Sequence, residues 1–193
     1  MKPKQIVLAG GCFWGLEHLL RQLPGVLEAE SGYANGRRAE WAKYDMVCTG
    51  LTGFREAVRV TYDPERIGLR RLLFTLFAVI DPAMYHRQGM DMGSQYQSGV
   101  YWPDPADEQT VRAVAAIERP AHPGFCTELE PLTLFCPAEE YHQRYLEKNP
   151  GGYCHISPRR MAALREYPYS DEAYTRSAQI LIDEYLETTS RDD

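Results

Sequence analysis

Two cysteines and a glutamate carry most of the chemistry open to this chain of 193 residues. Cys12 follows the apolar run Ile6-Val7-Leu8-Ala9 and the pair Gly10-Gly11, and precedes Phe13 and Trp14. The apolar run reads as a strand, while Phe13, Leu16, Leu20 and Leu23 recur at helical spacing, so Cys12 stands where a strand gives way to a helix. Unpaired N–H groups and the helix dipole favour an anion at that place. The thiol is therefore expected to ionise below its usual value of about 8.5 and to act as a nucleophile at neutral pH. The two glycines are expected to leave the sulfur uncovered, with Phe13 and Trp14 as an apolar wall beside it. The competing reading is a small buried hydrophobe. A leader peptide, suggested by Lys2 and Lys4, fits poorly. Its apolar core needs about 7–15 residues, and here the periodic pattern continues past Cys12.

Glu56 lies at the start of the clearest strand, in phase with Val58, Val60 and Tyr62. If that period holds, the carboxyl faces the core, and burial would keep it neutral near pH 7. If it does not, Glu56 is a solvated carboxylate at a strand end. Cys154 follows Pro150-Gly151-Gly152-Tyr153, a flexible stretch on which a second, mobile thiol would be useful.

The elements that must position these groups alternate along the chain. A strand from Val26 to Ala34 ends at Asn35-Gly36, and Asp63-Pro64 reads as the cap of a helix with the stripe Leu69, Leu72, Leu73, Leu76, Phe77 and Ile80. The glycine-punctuated stretch from Arg87 to Tyr96 reads as an exposed loop able to carry a site. A strand over Ser98–Trp102 and a helix opened by Asp104-Pro105 follow. Cys126 and Cys136 sit among core-type residues and read as packing. A short helix begins at Ala138 and ends at Asn149-Pro150, and Ser170-Asp171-Glu172 reads as the start of a last helix. Tyr174, Ala178, Leu181 and Tyr185 would dock that helix on the body, ahead of a frayed tail at Arg191-Asp192-Asp193.

Composition narrows the function classes. A net charge of −6 offers no basic field for nucleic acid or an anionic membrane, and no apolar run approaches membrane-spanning length. The 5 cysteines are widely spaced and form no C-x-x-C pair, so neither a disulfide scaffold nor a metal site is indicated. The chain reads as a cytoplasmic protein, in which a cysteine pair that does bond is catalytic.

From Ile6 to His155 the sequence resembles the A-class peptide methionine sulfoxide reductases. The resemblance rests on Gly10-Gly11-Cys12-Phe13-Trp14-Gly15, Gly32-Tyr33-Ala34-Asn35-Gly36, Tyr44, Val47-Cys48, Thr52-Gly53, Glu56 and Tyr62-Asp63-Pro64. It continues through Arg87-Gln88-Gly89, Asp91, Gly93, Gln95-Tyr96, the run Ala138 to Gln143, and Asn149 to Cys154. It implies a two-layer α/β (α+β) sandwich around a central mixed β-sheet, with residues 1–156 as catalytic domain and 157–193 as an extension. It also implies reduction of the S epimer of methionine sulfoxide, free or in proteins. Cys12 would be the nucleophile, Glu56 the acid, Tyr44 and Tyr96 hydrogen-bond donors to the sulfoxide oxygen, and Cys154 the resolving thiol. Phe13 and Trp14 would hold the substrate methyl group, and Asp91 would orient the substrate or a water. No cofactor or metal is expected, only an external dithiol such as thioredoxin. Because no cysteine follows Cys154, a two-cysteine cycle is expected.

Four positions depart from the family pattern: Phe54 and Ile80 stand where histidine is usual, Gln97 where arginine is common, and Met90 where a polar residue is. Two rivals remain at this stage. One is another thiol enzyme, a peroxidase or a hydrolase with His142 as base. The other is a non-catalytic module that binds methionine-containing peptides through Phe13 and Trp14.

Overall fold

The computed structural model describes residues 2–190; the tail from Arg191 to Asp193 lies outside them. Six strands form one mixed sheet: β1 (Lys4–Ala9), β2 (Val26–Ala34), β3 (Arg55–Tyr62), β6 (Gly99–Trp102), β7 (Glu128–Pro131) and β8 (Phe135–Pro137). Their order is β7-β6-β1-β3-β2-β8, and every pairing is antiparallel except β6 with β7. β4 (Arg87–Gln88) and β5 (Asp91–Met92) make a separate hairpin within the loop expected to carry a site.

Alternation explains which face each strand offers. Ile6 and Leu8 of β1 join Val58 and Val60 of β3 in the main core, where helix α1 (Phe13–Arg21) sets Phe13, Leu16, Leu19 and Leu20. Val7 and Ala9 point the other way into a smaller cluster with Ala34, Ala57 and Tyr101. Since β1 is buried on both faces, its run of consecutive apolar residues is what such a strand requires.

Helix α2 (Tyr44–Val47) is a single turn, and α3 (Leu69–Phe77) carries the expected leucine stripe. The expected start of α3 is corrected. The Asp63 carboxylate accepts the Glu65 N–H across a turn, and the helix begins six residues after Asp63 behind Gly68. Helix α4 (Glu108–Glu118) follows a short 3₁₀ turn in which the Asp104 side chain accepts the Ala106 N–H, as Asp-Pro suggested. Helix α5 (Tyr145–Lys148) is again one turn.

The C-terminal segment is the second correction. Ser170 accepts the Ala173 N–H in a turn, not a helix start. Instead, α6 (Pro158–Glu166) opens behind Ser157, and α7 spans Ala178–Thr189. The chain turns because Tyr174 is drawn into the core, edge-on to Phe74, where its hydroxyl donates to the buried Glu118 carboxylate at 2.6 Å. The same carboxylate oxygen accepts the Ala178 N–H at 2.8 Å and so caps α7 from another helix. Met161, Leu164, Tyr174, Ala178 and Ile182 all belong to the main core. Tyr174→Phe leaves this carboxylate one donor short, and should lower the free energy of unfolding in urea by about 1–3 kcal/mol. Among the described residues no helix is long and apolar enough to cross a membrane.

Candidate active site

Three loops and one strand converge on the N-terminus of α1. After β1, Gly10 and Gly11 turn the chain, with Gly11 at a φ of +79 that favours glycine. A Cβ on Gly10 would lie 2.8 Å from Ile80 Cγ2, and one on Gly11 would lie 2.7 Å from Gln88 Cβ. The glycines thus admit close neighbours; they do not bare the sulfur as expected. Cys12, which precedes the first residue of α1, is only 7% exposed.

That burial overturns the expected thiol chemistry of the resting protein. The Cys12 thiol is pushed well above its ordinary value, first by desolvation and next by the Glu56 carboxylate. The Trp14 N–H works against them without prevailing, and Asp91 and Cys154 raise the value further. Part of the helix N-terminal field is already engaged, because the Phe13 N–H donates to Glu56 Oε2 at 3.1 Å.

Glu56 takes the buried alternative. It sits in phase with Val58 and Val60 on β3, opposite Tyr33 of β2, and is 1% exposed. Burial pushes its carboxyl up to about 8, with the Phe13 N–H pulling it down and Asp91 adding to the rise. At neutral pH this group therefore holds its proton directly beneath the Cys12–Phe13 junction.

Tyr44 on α2 and Tyr96 in the 3₁₀ turn Ser94–Tyr96 stand over the same spot. Burial, above all, keeps both hydroxyls protonated, and the charges of Glu56 and Cys12 act on each in the same direction. Asp91, on β5, accepts the Tyr153 hydroxyl at 3.0 Å. Phe13 is buried against Tyr33 and His142, with ring centres 5.9 Å and 5.0 Å away. Trp14 is half-buried and stacks on Tyr145 at 3.7 Å. Cys154 is half-buried, and its thiol donates to the Ile156 carbonyl at 3.2 Å. Its sulfur rests on α1 at Gly15, 2.8 Å from where a Cβ on that residue would be. All five cysteines are free thiols. The structure thus brings together the eight residues that the sequence singled out.

Several further residues hold the site and were not singled out. Glu139 accepts the Tyr44 N–H at 3.0 Å through one oxygen and the Tyr33 hydroxyl at 2.8 Å through the other. Burial alone would raise its carboxyl, but its own N–H, that of Tyr44 and the Tyr33 hydroxyl bring it below the usual range. The buried Glu17 carboxylate accepts the Arg144 N–H through both oxygens at 3.0 Å, which ties the segment leading to Cys154 onto α1. The acidic residues of the run 138–143 were the available signal for Glu139; nothing local marks Glu17 as a tether.

His142 bears on the hydrolase reading. Its Nδ1 accepts the Trp14 indole N–H at 3.0 Å, and burial holds the ring below its ordinary pKa, with Glu139 opposing. It positions Trp14 and makes no hydrogen bond to Cys12, as a hydrolase base would.

The four departures have structural occupations. Ile80 fills the space over Gly10, and Phe54 packs on the bare Cα of Gly36. The Gln97 side chain accepts the His86 N–H at 2.7 Å and donates to the Cys126 carbonyl at 3.0 Å. Met90 is exposed on the hairpin beside Asp91.

The family model described as peptide methionine sulfoxide reductase matches residues 4–172. "Peptide methionine sulfoxide reductase MsrA" of Clostridium perfringens is 46% identical over 154 residues, covering 79% of this chain and 98% of that protein. The crystal structure of Mxr1 from Saccharomyces cerevisiae in reduced form superposes with a TM-score of 0.77 at 38% identity, covering 81% of this chain and 92% of the other. Mxr1 in complex with Trx2 superposes at 0.53 with 30% identity, covering 75% and 85%. With a family match that spans most of the sequence and a site that gathers the same residues, this chain belongs to the peptide methionine sulfoxide reductase family of oxidoreductases.

Proposed function

We propose that the protein reduces the S epimer of methionine sulfoxide, free or in polypeptides, and so repairs proteins after oxidative stress in the cytoplasm. One observation carries this reading: a carboxyl that burial keeps protonated near neutral pH lies against the backbone of the residue after Cys12. A sulfoxide oxygen is a poor leaving group without a proton, and a neutral carboxyl supplies one. The substrate methyl group rests against Trp14 and the Phe13 ring behind it. The oxygen then points towards Glu56, Tyr44 and Tyr96, whose hydroxyls stabilise the charge it gains. Asp91 orients the substrate from the hairpin.

Cys12 attacks the sulfoxide sulfur as Glu56 gives its proton to the oxygen, and the thiol proton restores the carboxyl. That attack joins Cys12 to the substrate sulfur. The protonated oxygen then passes to the Cys12 sulfur as its bond to the substrate sulfur and the new sulfur–sulfur bond both break. Cys12 is left as a sulfenic acid, and methionine is released reduced by two electrons. The raised thiol has a use here. It stays a protonated thiol at rest, and it loses its proton only when a bound sulfoxide consumes the proton on Glu56.

Cys154 then condenses with the sulfenic acid to give a Cys12–Cys154 disulfide and water. An external dithiol, thioredoxin by analogy with the Mxr1–Trx2 complex, reduces that disulfide. All the electrons come from thiols, so no prosthetic group is required. Residues 157–193 form an extension, in which α6 and α7 brace α3.

Gly15→Ala should separate the two halves of the cycle. The added methyl group would lie 2.8 Å from the Cys154 sulfur and displace it, so disulfide formation slows while methionine release proceeds. Rapid quench followed by thiol counting measures both. The reading as a whole is tested by steady-state reduction of each sulfoxide epimer with a thioredoxin system. Turnover confined to the S epimer supports it, and turnover of the R epimer alone contradicts it.

A further inference from the structure

His155 follows Cys154 in the chain, and its imidazole lies against the first turn of α1. Its Nε2 is 3.6 Å from the position of a Cβ on Gly11, the residue before Cys12. Its Nδ1 is 3.7 Å from the position of a Cβ on Gly15, the same point from which the Cys154 sulfur is 2.8 Å away. The imidazole therefore spans the first turn of α1 from the Cys12 end to the place where Cys154 rests. Both ring nitrogens are buried, and no side chain among the described residues hydrogen-bonds to either; the Gly10 backbone interacts with the ring.

We propose that His155 is the proton acceptor for Cys154 in the step that forms the disulfide, and the proton donor to the oxygen that leaves Cys12. This rests on the reading that Cys154 resolves Cys12. As the Cys154 sulfur attacks the Cys12 sulfenic sulfur, the S–S bond forms and the S–O bond breaks. The thiol proton passes to His155 and from there to the departing oxygen, which leaves as water. No reagent beyond the two cysteines is consumed.

The chemistry calls for such a group. Burial raises the Cys154 thiol above its ordinary value, so little thiolate is present unaided. Burial also lowers the imidazole below its usual value, although Asp91 and the Gly10 backbone oppose this, so the ring is neutral and able to accept a proton. Around the ring stand Asp91 from β5, the Gly10–Gly11 turn that leads to Cys12, and Cys154 at Gly15. Across an adjoining cavity of about 330 Å³ lie Asp81, Arg160 from α6 and Asp183 from α7, the last two paired with each other at 2.9 Å.

The test is a single turnover of the pre-reduced full-length protein with S-methionine sulfoxide, following methionine release and disulfide formation separately. His155→Gln, close in size, should slow disulfide formation by about 10²-fold and flatten the dependence of that step on pH. His155→Ala should show the same loss, partly restored by added imidazole. Disulfide formation at the parent rate in both variants overturns the proposal, as does an equal slowing of methionine release. A parent protein that releases methionine but does not bond Cys12 to Cys154 overturns instead the resolving role of Cys154.

Discussion

Replacing Glu56 by glutamine will lower the rate of methionine sulfoxide reduction by about 10²–10⁴, the usual worth of a positioned general acid. Glutamine keeps the shape and can still accept the Phe13 N–H, so the loss isolates the proton. The parent enzyme carries the same signature in its pH dependence. The carboxyl is raised to about 8, so it is active while protonated, and the rate should fall as pH rises through about 8. The sign for stability follows from the same shift. Between the ordinary carboxyl value and about 8 the folded state holds a proton that the unfolded chain has lost, so stability declines as pH rises through that window. Glu56→Gln lacks this decline and should resist urea better than the parent above pH 8. Stopped-flow rates and urea titrations at pH 6 and pH 9 check both. A variant with a near-normal rate removes Glu56 as the acid.

Cys154→Ser should release about one methionine per protein and then stop when thioredoxin is the only reductant. The sulfenic acid on Cys12 then lacks the thiol that rests on α1, since Cys154 is the cysteine whose sulfur lies against Gly15. Because α1 and Glu56 are untouched, the first turnover should keep its parent rate. Sustained turnover would shift the resolving role to another thiol, with Cys48 next in line. Cys48 is exposed beside Tyr44, whose hydroxyl interacts with its sulfur.

Much of this site could be read from sequence because the decisive residues announce themselves locally. The alternation of Val58, Val60 and Tyr62 offers a buried place for Glu56 beside a solvated one, and β3 takes the buried one; the strand–glycine–helix pattern places Cys12 at the head of α1. Where local signals had two meanings, tertiary structure chose. Asp63-Pro64 and Ser170-Asp171 each satisfy a turn as well as a helix cap, and in both places the following chain turns away before its helix starts. Helix α6 carries a weak signal: Ser157-Pro158 is a proper start, but its apolar residues are few and polar ones separate them. The Cys12 thiol shifts opposite to the expectation for a related reason. Position on a helix is visible in sequence, whereas burial and a carboxyl arriving from a strand 43 residues away are not. The Glu139 clamp and the Trp14–Tyr145 stack likewise join residues more than 90 positions apart.

The central claim is that Cys12 takes the oxygen from the S epimer and passes the oxidation to Cys154. The most direct measurement is a single turnover of the pre-reduced protein with each epimer, followed by mass-spectrometric mapping of its disulfides. The account predicts about one methionine per protein from the S epimer, none from the R epimer, and a Cys12–Cys154 bond in the product. A folded, fully reduced protein that yields no methionine from the S epimer would contradict it, and would favour a module that binds methionine-containing peptides through Phe13 and Trp14.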